Sequence, residues 1–133
     1  MTKGAVKCSC GAQATIRHAS VVHGKNARDE YLYVCSRYPI CDSYVGVHRG
    51  SRKPLGTLAG KELRTMRIEA HRTFDRLWQL GIMEKRQAYK WMQVMLGLSE
   101  DQAHIAKFSE YMCKQVITLC DRVLENNRAM RAA

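Results

Sequence analysis

The pattern of apolar and polar residues changes near residue 60. Before that point the apolar residues form short runs rich in β-branched and aromatic side chains, at residues 14–22, 31–34 and 44–48, with polar loops between them. Such runs are typical of strands. After it, apolar residues recur every three or four positions, which is the period of an amphipathic helix. The pattern therefore predicts strands in the front of the chain and helices in the rest.

Two helices are expected first in the second part of the chain. One begins after residue 60 and ends at Gly81, and the next spans residues 84–96 and ends before Gly97. Glycine is the residue that most often follows the last helical turn. The side chains expected to face inward are Leu63, Met66, Ala70, Phe74, Leu77 and Trp78 in the first helix, and Ala88, Met92, Met95 and Leu96 in the second.

A short helix and a long one are expected to follow. Residues 99–102 read Ser-Glu-Asp-Gln, the sequence of a capping box, which would open a short helix toward residue 108. The long helix covers residues 109–126, and residues 128–133 are expected to fray. Its predicted inner face consists of Met112, Cys113, Val116, Ile117, Cys120 and Leu124.

Four cysteines in the front of the chain form two close pairs, Cys8 with Cys10 and Cys35 with Cys41. Structural zinc sites take four thiolate or imidazole ligands, which tight turns usually supply two at a time. Gly11 follows the first pair and allows the backbone to turn there. Both spacings depart from the commoner Cys-x2-Cys. We nevertheless predict a structural Zn²⁺ held by these four sulfurs.

Two disulfides are the alternative for the same cysteines. The first seven residues contain no apolar stretch of the kind found in signal peptides, and no run approaches the about 18 apolar residues of a membrane span. We therefore expect a reducing, cytoplasmic location, where paired cysteines bind metal more often than they cross-link. His48 is the substitute ligand if Cys41 points elsewhere. Cys113 and Cys120 are interpreted as buried apolar residues.

These patterns together predict an α+β fold. A small zinc-ribbon-like β lobe, residues 1–58, would pack against a helical lobe of three to four helices, residues 59–133, in one compact unit. The front lobe has few large apolar residues, so its folding is expected to depend on the metal.

The chain is strongly basic, with 22 Lys and Arg against 12 Asp and Glu, a net charge of +10. Such a surplus favours a polyanionic partner or an acidic protein surface. The densest basic stretch lies in residues 49–56, interpreted as a flexible loop. A solvated surface loop is the alternative to a contact with a partner. The candidate partner-binding residues are Arg49, Arg52 and Lys53 in this loop, and Lys85, Arg86 and Lys90 in the second helix.

Catalysis is not expected. His71 and Asp75 stand four residues apart on one predicted helix, and His104 lies further along. No carboxylate cluster or nucleophile pattern accompanies them. We interpret Asp75 or a backbone carbonyl as orienting a partly buried His71. The alternative is a metal-dependent nuclease or hydrolase that uses His71 and Asp75. A zinc ion with four sulfur ligands also has no open position for water.

Several motifs then carry a resemblance to a known family. CDSYVGVH, PLGTLA, LRTMR, AHRTFD, RQAYKWM and HIAKF occur in this order between residues 41 and 108. The chain resembles a zinc-finger-containing domain family of uncharacterised function found in bacteria and their phages, although the spacing within both cysteine pairs differs from the family's. The resemblance implies a zinc-stabilised fold, a phage or mobile-element setting and a bacterial host cell. It implies no activity.

Two classes of function follow. A small, basic, phage-type zinc protein resembles host-defence antagonists, including metal-binding anti-CRISPR proteins, and would dock on an effector nuclease and block its use of nucleic acid. This hypothesis is favoured because of the resemblance. The alternative is a zinc-ribbon regulator that binds DNA or RNA directly, with Tyr31, Tyr33 and Tyr38 stacking on bases.

Overall fold

The computed structural model describes residues 6–132. Their β structure is a three-stranded antiparallel sheet with strand order β1-β2-β3, formed by β1 (Ala14–His18), β2 (Tyr31–Cys35) and β3 (Tyr44–Gly46). The register places Tyr33 of the central strand opposite Ile16 on one side and Val45 on the other. The strands therefore arise from the predicted apolar runs. β1 and β3 end before their runs do, and β2 continues one residue beyond its run, to Cys35.

The described residues also form four α-helices. A single turn, α1 (Ser20–His23), follows β1, and the longer helices are α2 (Lys61–Gln79), α3 (Lys85–Leu96) and α4 (Glu110–Ala132). Gly97 ends α3 in the left-handed conformation at φ +66°, which glycine adopts without a Cβ clash. The predicted α+β class is confirmed.

The chain divides into two compact units, with the division between Arg64 and Thr65 inside α2. The first unit contains the sheet, and its two faces each carry an apolar cluster. One cluster is built on Leu32 and Val34, and the other on Cys35 and Tyr33, as the alternation of a strand requires. Packed around these residues are Ala19, Val22, Ala27, Tyr38 and Tyr44 on the first face, and Cys8, Leu58, Val6, Ala12, Ala14, Cys41 and Val45 on the second.

The second unit buries one stripe of each helix. The fully buried residues follow steps of three and four, as the apolar pattern predicts. The Phe74 ring also meets the Tyr89 ring edge-on, with centroids 5.0 Å apart. The buried helical side chains are Ala70, Phe74 and Leu77 of α2, Ala88 and Met92 of α3, and Cys113, Val116 and Cys120 of α4.

The end of the first predicted strand is instead helical. Residues 14–22 were expected to be extended, but the strand ends at His18 and the chain turns into α1. The backbone N–H groups of Val22 and His23 both donate to the carbonyl oxygen of Ala19. This turn brings Val22 against the buried Ala19, so tertiary packing overrides the β-branched composition.

The predicted short helix at residues 99–108 is also wrong. The capping box does form, because the Ser99 N–H donates to the Gln102 side chain and the Gln102 N–H donates to the Ser99 hydroxyl. It closes a single turn, which is followed by a 3₁₀ helix at Ile105–Lys107. A capping box satisfies backbone groups of one turn and does not by itself propagate a helix.

Two further expectations about α3 and α4 are wrong. Met95 is 49% exposed and does not face inward. Residues 128–132 continue α4 and do not fray, and residue 133 lies outside the described residues. The run Arg-Ala-Met-Arg-Ala consists of good helix formers, which explains why the helix continues.

Phe74→Ala and Met95→Ala test this assignment of the core. Phe74 is fully buried, so its truncation is expected to lower the free energy of unfolding by about 3–5 kcal/mol. Met95→Ala is expected to change it by less than about 1 kcal/mol. Urea denaturation followed by circular dichroism measures both, and equal losses would contradict the assignment.

Candidate metal centre

The first cysteine pair lies in a tight turn before β1. The Cys8 N–H donates to the Ala12 carbonyl oxygen at 2.8 Å, and the Gly11 N–H donates to that of Cys8 at 3.0 Å. Gly11 has φ +96°, so the turn uses the glycine that the sequence places there. The turn directs Cys8 and Cys10 toward the same point.

The second pair is held by the end of β2 and the loop after it. Cys35 is the last residue of the strand, and its N–H donates to the Ser43 carbonyl oxygen at 3.1 Å. The chain then turns back, and the Cys41 N–H donates to the carbonyl oxygen of Arg37 at 3.2 Å. The residues between Cys35 and Cys41 therefore form a folded loop.

The four sulfurs form one cluster. All lie within 4.8 Å of one another, with Cys8 Sγ 3.6 Å from Cys41 Sγ and Cys10 Sγ 3.5 Å from Cys35 Sγ. Zinc–sulfur bonds of about 2.3 Å in a tetrahedron separate the sulfurs by about 3.8 Å. A disulfide needs about 2.05 Å, so the disulfide alternative is wrong. The donor set and its dimensions fit a structural Zn²⁺.

The surroundings of the sulfurs differ. Burial raises the pKa of the Cys35 thiol to about 12. The side-chain hydroxyl and then the backbone of Ser43 lower the pKa of Cys41 to about 6, which favours its thiolate. Zinc is bound by thiolates, so loading the site must displace the proton that Cys35 holds.

The zinc centre lies within an apolar cluster. Cys8, Cys35 and Leu58 are buried there, whereas Cys10 is exposed. Four sulfurs saturate a tetrahedral zinc ion, so the site has no position for a reacting water. The arrangement cross-links the turn before β1 to both ends of the β2–β3 connection, which is a structural role.

The other cysteines and His48 lie outside this centre. Cys113 and Cys120 are buried, and burial raises the pKa of both thiols, to about 12 for Cys120. This agrees with their interpretation as apolar core residues. Within residues 6–132, the side chains close enough together to hold a metal ion are those of the four cysteines, and His48 does not belong to this group.

The predicted flexible loop after β3 is an ordered hairpin, here called the basic hairpin (residues 47–54). Val47 pairs with Pro54, and the His48 N–H donates to the Lys53 carbonyl oxygen at 2.9 Å. The Tyr33 hydroxyl donates to the Arg52 carbonyl oxygen at 2.6 Å and fixes the tip to the central strand. The side chains of Arg49, Arg52 and Lys53 are exposed.

The three candidate stacking tyrosines differ in exposure. Tyr33 packs in the cluster around the cysteines and uses its hydroxyl to hold the hairpin. Tyr38 packs in the cluster on the other face of the sheet. Tyr31 is 55% exposed and lines a groove of about 550 Å³ beside the basic hairpin. Alternation along β2 places Tyr31 and Tyr33 on the same face of the sheet. Only the folded chain shows that Tyr31 is exposed whereas Tyr33 packs against the cysteine cluster.

The remaining candidate residues lie in the second unit. His71 Nδ1 lies 3.0 Å from a carboxylate oxygen of Asp75, the contact expected to orient the ring, and the His71 side chain is 53% exposed. His104 precedes the 3₁₀ helix and is exposed. Lys85, Arg86 and Lys90 are exposed on α3.

One contact beside α3 was missed by the sequence analysis. The Lys85 ammonium lies 5.0 Å from the centroid of the Trp78 ring, a cation–π distance. The Trp78 indole N–H is buried and has no hydrogen-bond partner among the described residues. The apolar pattern predicts only that Trp78 lies on the inner face of α2, and no sequence spacing links it to Lys85.

Replacing a zinc ligand tests the metal centre. Cys35→Ser is expected to remove the bound zinc and unfold the first unit, because that unit has only small apolar clusters without the ion. Metal analysis should give one zinc per chain for the wild type and none for the variant, with loss of dispersed amide signals from the sheet in NMR spectra. Cys113→Ala is the control and should retain one zinc. Wild-type zinc content in Cys35→Ser would contradict the assignment.

Comparisons with known proteins agree with this centre. The model of a family described as a zinc-finger-containing domain matches residues 4–123. No curated protein and no solved structure matches the chain. Within the part of the chain that the structure describes, no helix is long and apolar enough to cross a membrane. Since the match covers most of the sequence and the four sulfurs are gathered as a zinc finger requires, the chain belongs to this family of zinc-finger-containing domains.

Proposed function

We propose that this protein is a non-enzymatic binding protein whose zinc-stabilised sheet presents the basic hairpin to nucleic acid. The observation that supports the proposal best is the attachment of the hairpin to the sheet. The Tyr33 hydroxyl and the Val47–Pro54 pairing fix the hairpin backbone, while its three cations stay exposed. A hairpin whose backbone is already held has less conformational entropy to lose when its cations bind phosphate.

The two sites that could have been reactive have features that support a binding function over a catalytic one. The zinc centre has its four ligands supplied by cysteine, which leaves no position for an activated water. The His71–Asp75 pair lies within one helix and is joined by a local hydrogen bond. Such a pair is a common surface contact at helical spacing.

The charge of the first unit supports a nucleic-acid partner. Residues 1–58 carry nine basic and three acidic side chains. Phosphate contacts by Lys and Arg supply most of the sequence-independent affinity of nucleic-acid-binding proteins. The hairpin cations are three of the nine basic groups and lie within five residues, so they form the strongest local source of positive charge there.

Removal of the hairpin charges tests the proposal. The triple variant Arg49→Gln, Arg52→Gln, Lys53→Gln is expected to raise the Kd for a fluorescent 12-nucleotide DNA by about tenfold or more at 0.1 M salt, because up to three phosphate contacts are lost. The dependence of log Kd on log salt should fall in slope by about 2–3. Fluorescence anisotropy measures both quantities.

The helix cations provide a control of equal charge. The variant Lys85→Gln, Arg86→Gln, Lys90→Gln also removes three positive charges, but from α3. It should change the DNA affinity by less than about threefold, since charges that do not contact the DNA act only through the screened general field. Equal losses in the two triple variants would refute a localised site on the hairpin.

The resemblance to phage host-defence antagonists leads to a second candidate function. In this proposal the protein docks on an acidic surface of a CRISPR effector nuclease and prevents it from using nucleic acid. The cation–π contact of Lys85 with Trp78, beside Arg86 and Lys90, favours a protein partner. Tryptophan and arginine are the residues most enriched in protein–protein hot spots. Nuclease inhibition at 1:1 stoichiometry, lost in the α3 triple variant and retained in the hairpin variant, would support it.

His71→Ala tests the absence of catalysis. Because His71 is 53% exposed and its contact with Asp75 is local, its loss is expected to change the free energy of unfolding by less than about 0.5 kcal/mol. DNA affinity should stay within about twofold of wild type. Thermal melting and the same anisotropy assay measure these effects. A chemical activity of the wild type that disappears in this variant at unchanged melting temperature would contradict a purely binding function.

A further inference from the structure

A groove lies between the sheet and the basic hairpin in the first unit. It has a volume of about 550 Å³, which is in the range of sites for small organic ligands. Its lining comes from Ile16 in the middle of β1, from residues 29–31 at the start of β2, and from residues 47–52. No residue that holds the zinc ion lines it, so the groove is separate from the metal centre.

Apolar side chains of the sheet line the groove on one side. Ile16 is 36% exposed and Tyr31 is 55% exposed, although both belong to strands and lie on the face that elsewhere covers the cysteine cluster. Tyr31 is opposite His18 in the sheet, and the two rings meet edge-on with centroids 5.5 Å apart. An exposed aromatic ring supported in this way is a stacking platform for a planar ligand.

His18 is itself held in place. Its two ring nitrogens lie 2.9 Å from the Ser20 hydroxyl and 3.1 Å from an Asp29 carboxylate oxygen. The orientation of the ring beside Tyr31 is therefore set by contacts on both sides. A fixed platform binds a ligand with a smaller entropy loss than a mobile side chain does.

Opposite charges line the two sides of the groove. Arg49 and Arg52 belong to the hairpin side, and Asp29 and Glu30 belong to the loop before β2. Guanidinium groups bind phosphate oxygens, and carboxylates accept hydrogen bonds from N–H groups while repelling phosphate. A ligand that fits this arrangement carries negative charge at one end and a planar group with N–H donors at the other.

We propose that the groove binds one unpaired nucleotide of a single-stranded nucleic acid. The base stacks on Tyr31 against Ile16, and its amino group donates to the Asp29 and Glu30 carboxylates. The phosphates on either side of it lie at Arg49 and Arg52. The inference rests on the proposed binding of nucleic acid by the hairpin and adds that the strand must be single and must supply a base.

Nucleic-acid probes with and without accessible bases test the inference. The probes are a fluorescent 12-nucleotide oligocytidine, whose amino groups suit the carboxylates, an abasic 12-mer with the same phosphates, a 12-base-pair duplex, and free cytidine monophosphate. The wild type is expected to bind the oligocytidine roughly 5- to 100-fold more tightly than the abasic strand or the duplex, which is the usual contribution of one stacked base.

Substitutions of Tyr31 test whether its aromatic ring stacks on the base. Tyr31→Leu should remove the preference for the oligocytidine and leave the affinity for the abasic strand unchanged, while Tyr31→Phe keeps the ring and should retain the preference. Tyr111→Leu is the matched control, because Tyr111 is 69% exposed on α4. All variants are first shown to hold one zinc per chain. In NMR spectra, the Ile16 methyl signals should shift with the oligocytidine and not with the abasic strand.

The outcomes separate the two proposals. Equal binding of abasic and base-containing strands, with the hairpin triple variant still weakened, would refute the nucleotide groove and leave the phosphate-binding hairpin intact. No binding of any oligonucleotide would refute both. Cytidine monophosphate that binds as tightly as the 12-mer would also overturn the inference, because the ligand would then be a free nucleotide.

Discussion

The structure of the first unit depends on the clustering of four cysteine sulfurs. The sheet has three short strands, and its two apolar clusters contain mostly small and medium-sized side chains. A zinc ion among the sulfurs joins the turn before β1 to β2 and to the loop that leads into β3. Since these segments are far apart in sequence, the metal replaces contacts that a larger apolar core would supply.

The same constraint links the metal centre to the candidate binding surface. Tyr33 packs against the cysteine cluster, and its hydroxyl holds the Arg52 carbonyl oxygen of the basic hairpin. Its neighbour Tyr31 lines the groove. The position of the hairpin and of the groove is thus determined by a strand that ends in a zinc ligand, Cys35. Loss of the metal would therefore disturb the hairpin and the groove, although no zinc ligand lines either of them.

The two units present different kinds of surface. The first offers a hairpin with closely spaced cations next to an exposed aromatic ring, an arrangement suited to phosphates and bases. The second offers cations on a regular helix with Lys85 over Trp78, which is closer to the composition of protein interfaces. The net charge alone does not distinguish these surfaces, because it sums over both.

Much of the fold and the metal centre was determined by local sequence. The period of the apolar residues predicted the sheet and the long helices, and the paired cysteines with Gly11 predicted the zinc ligands, because these features depend on spacing along the chain. Only the tertiary structure decided that residues 20–23 turn into a helix around Ala19 and that residues 47–54 close into a fixed hairpin. It alone decided which tyrosine stays exposed, because these outcomes depend on contacts between segments that are distant in sequence.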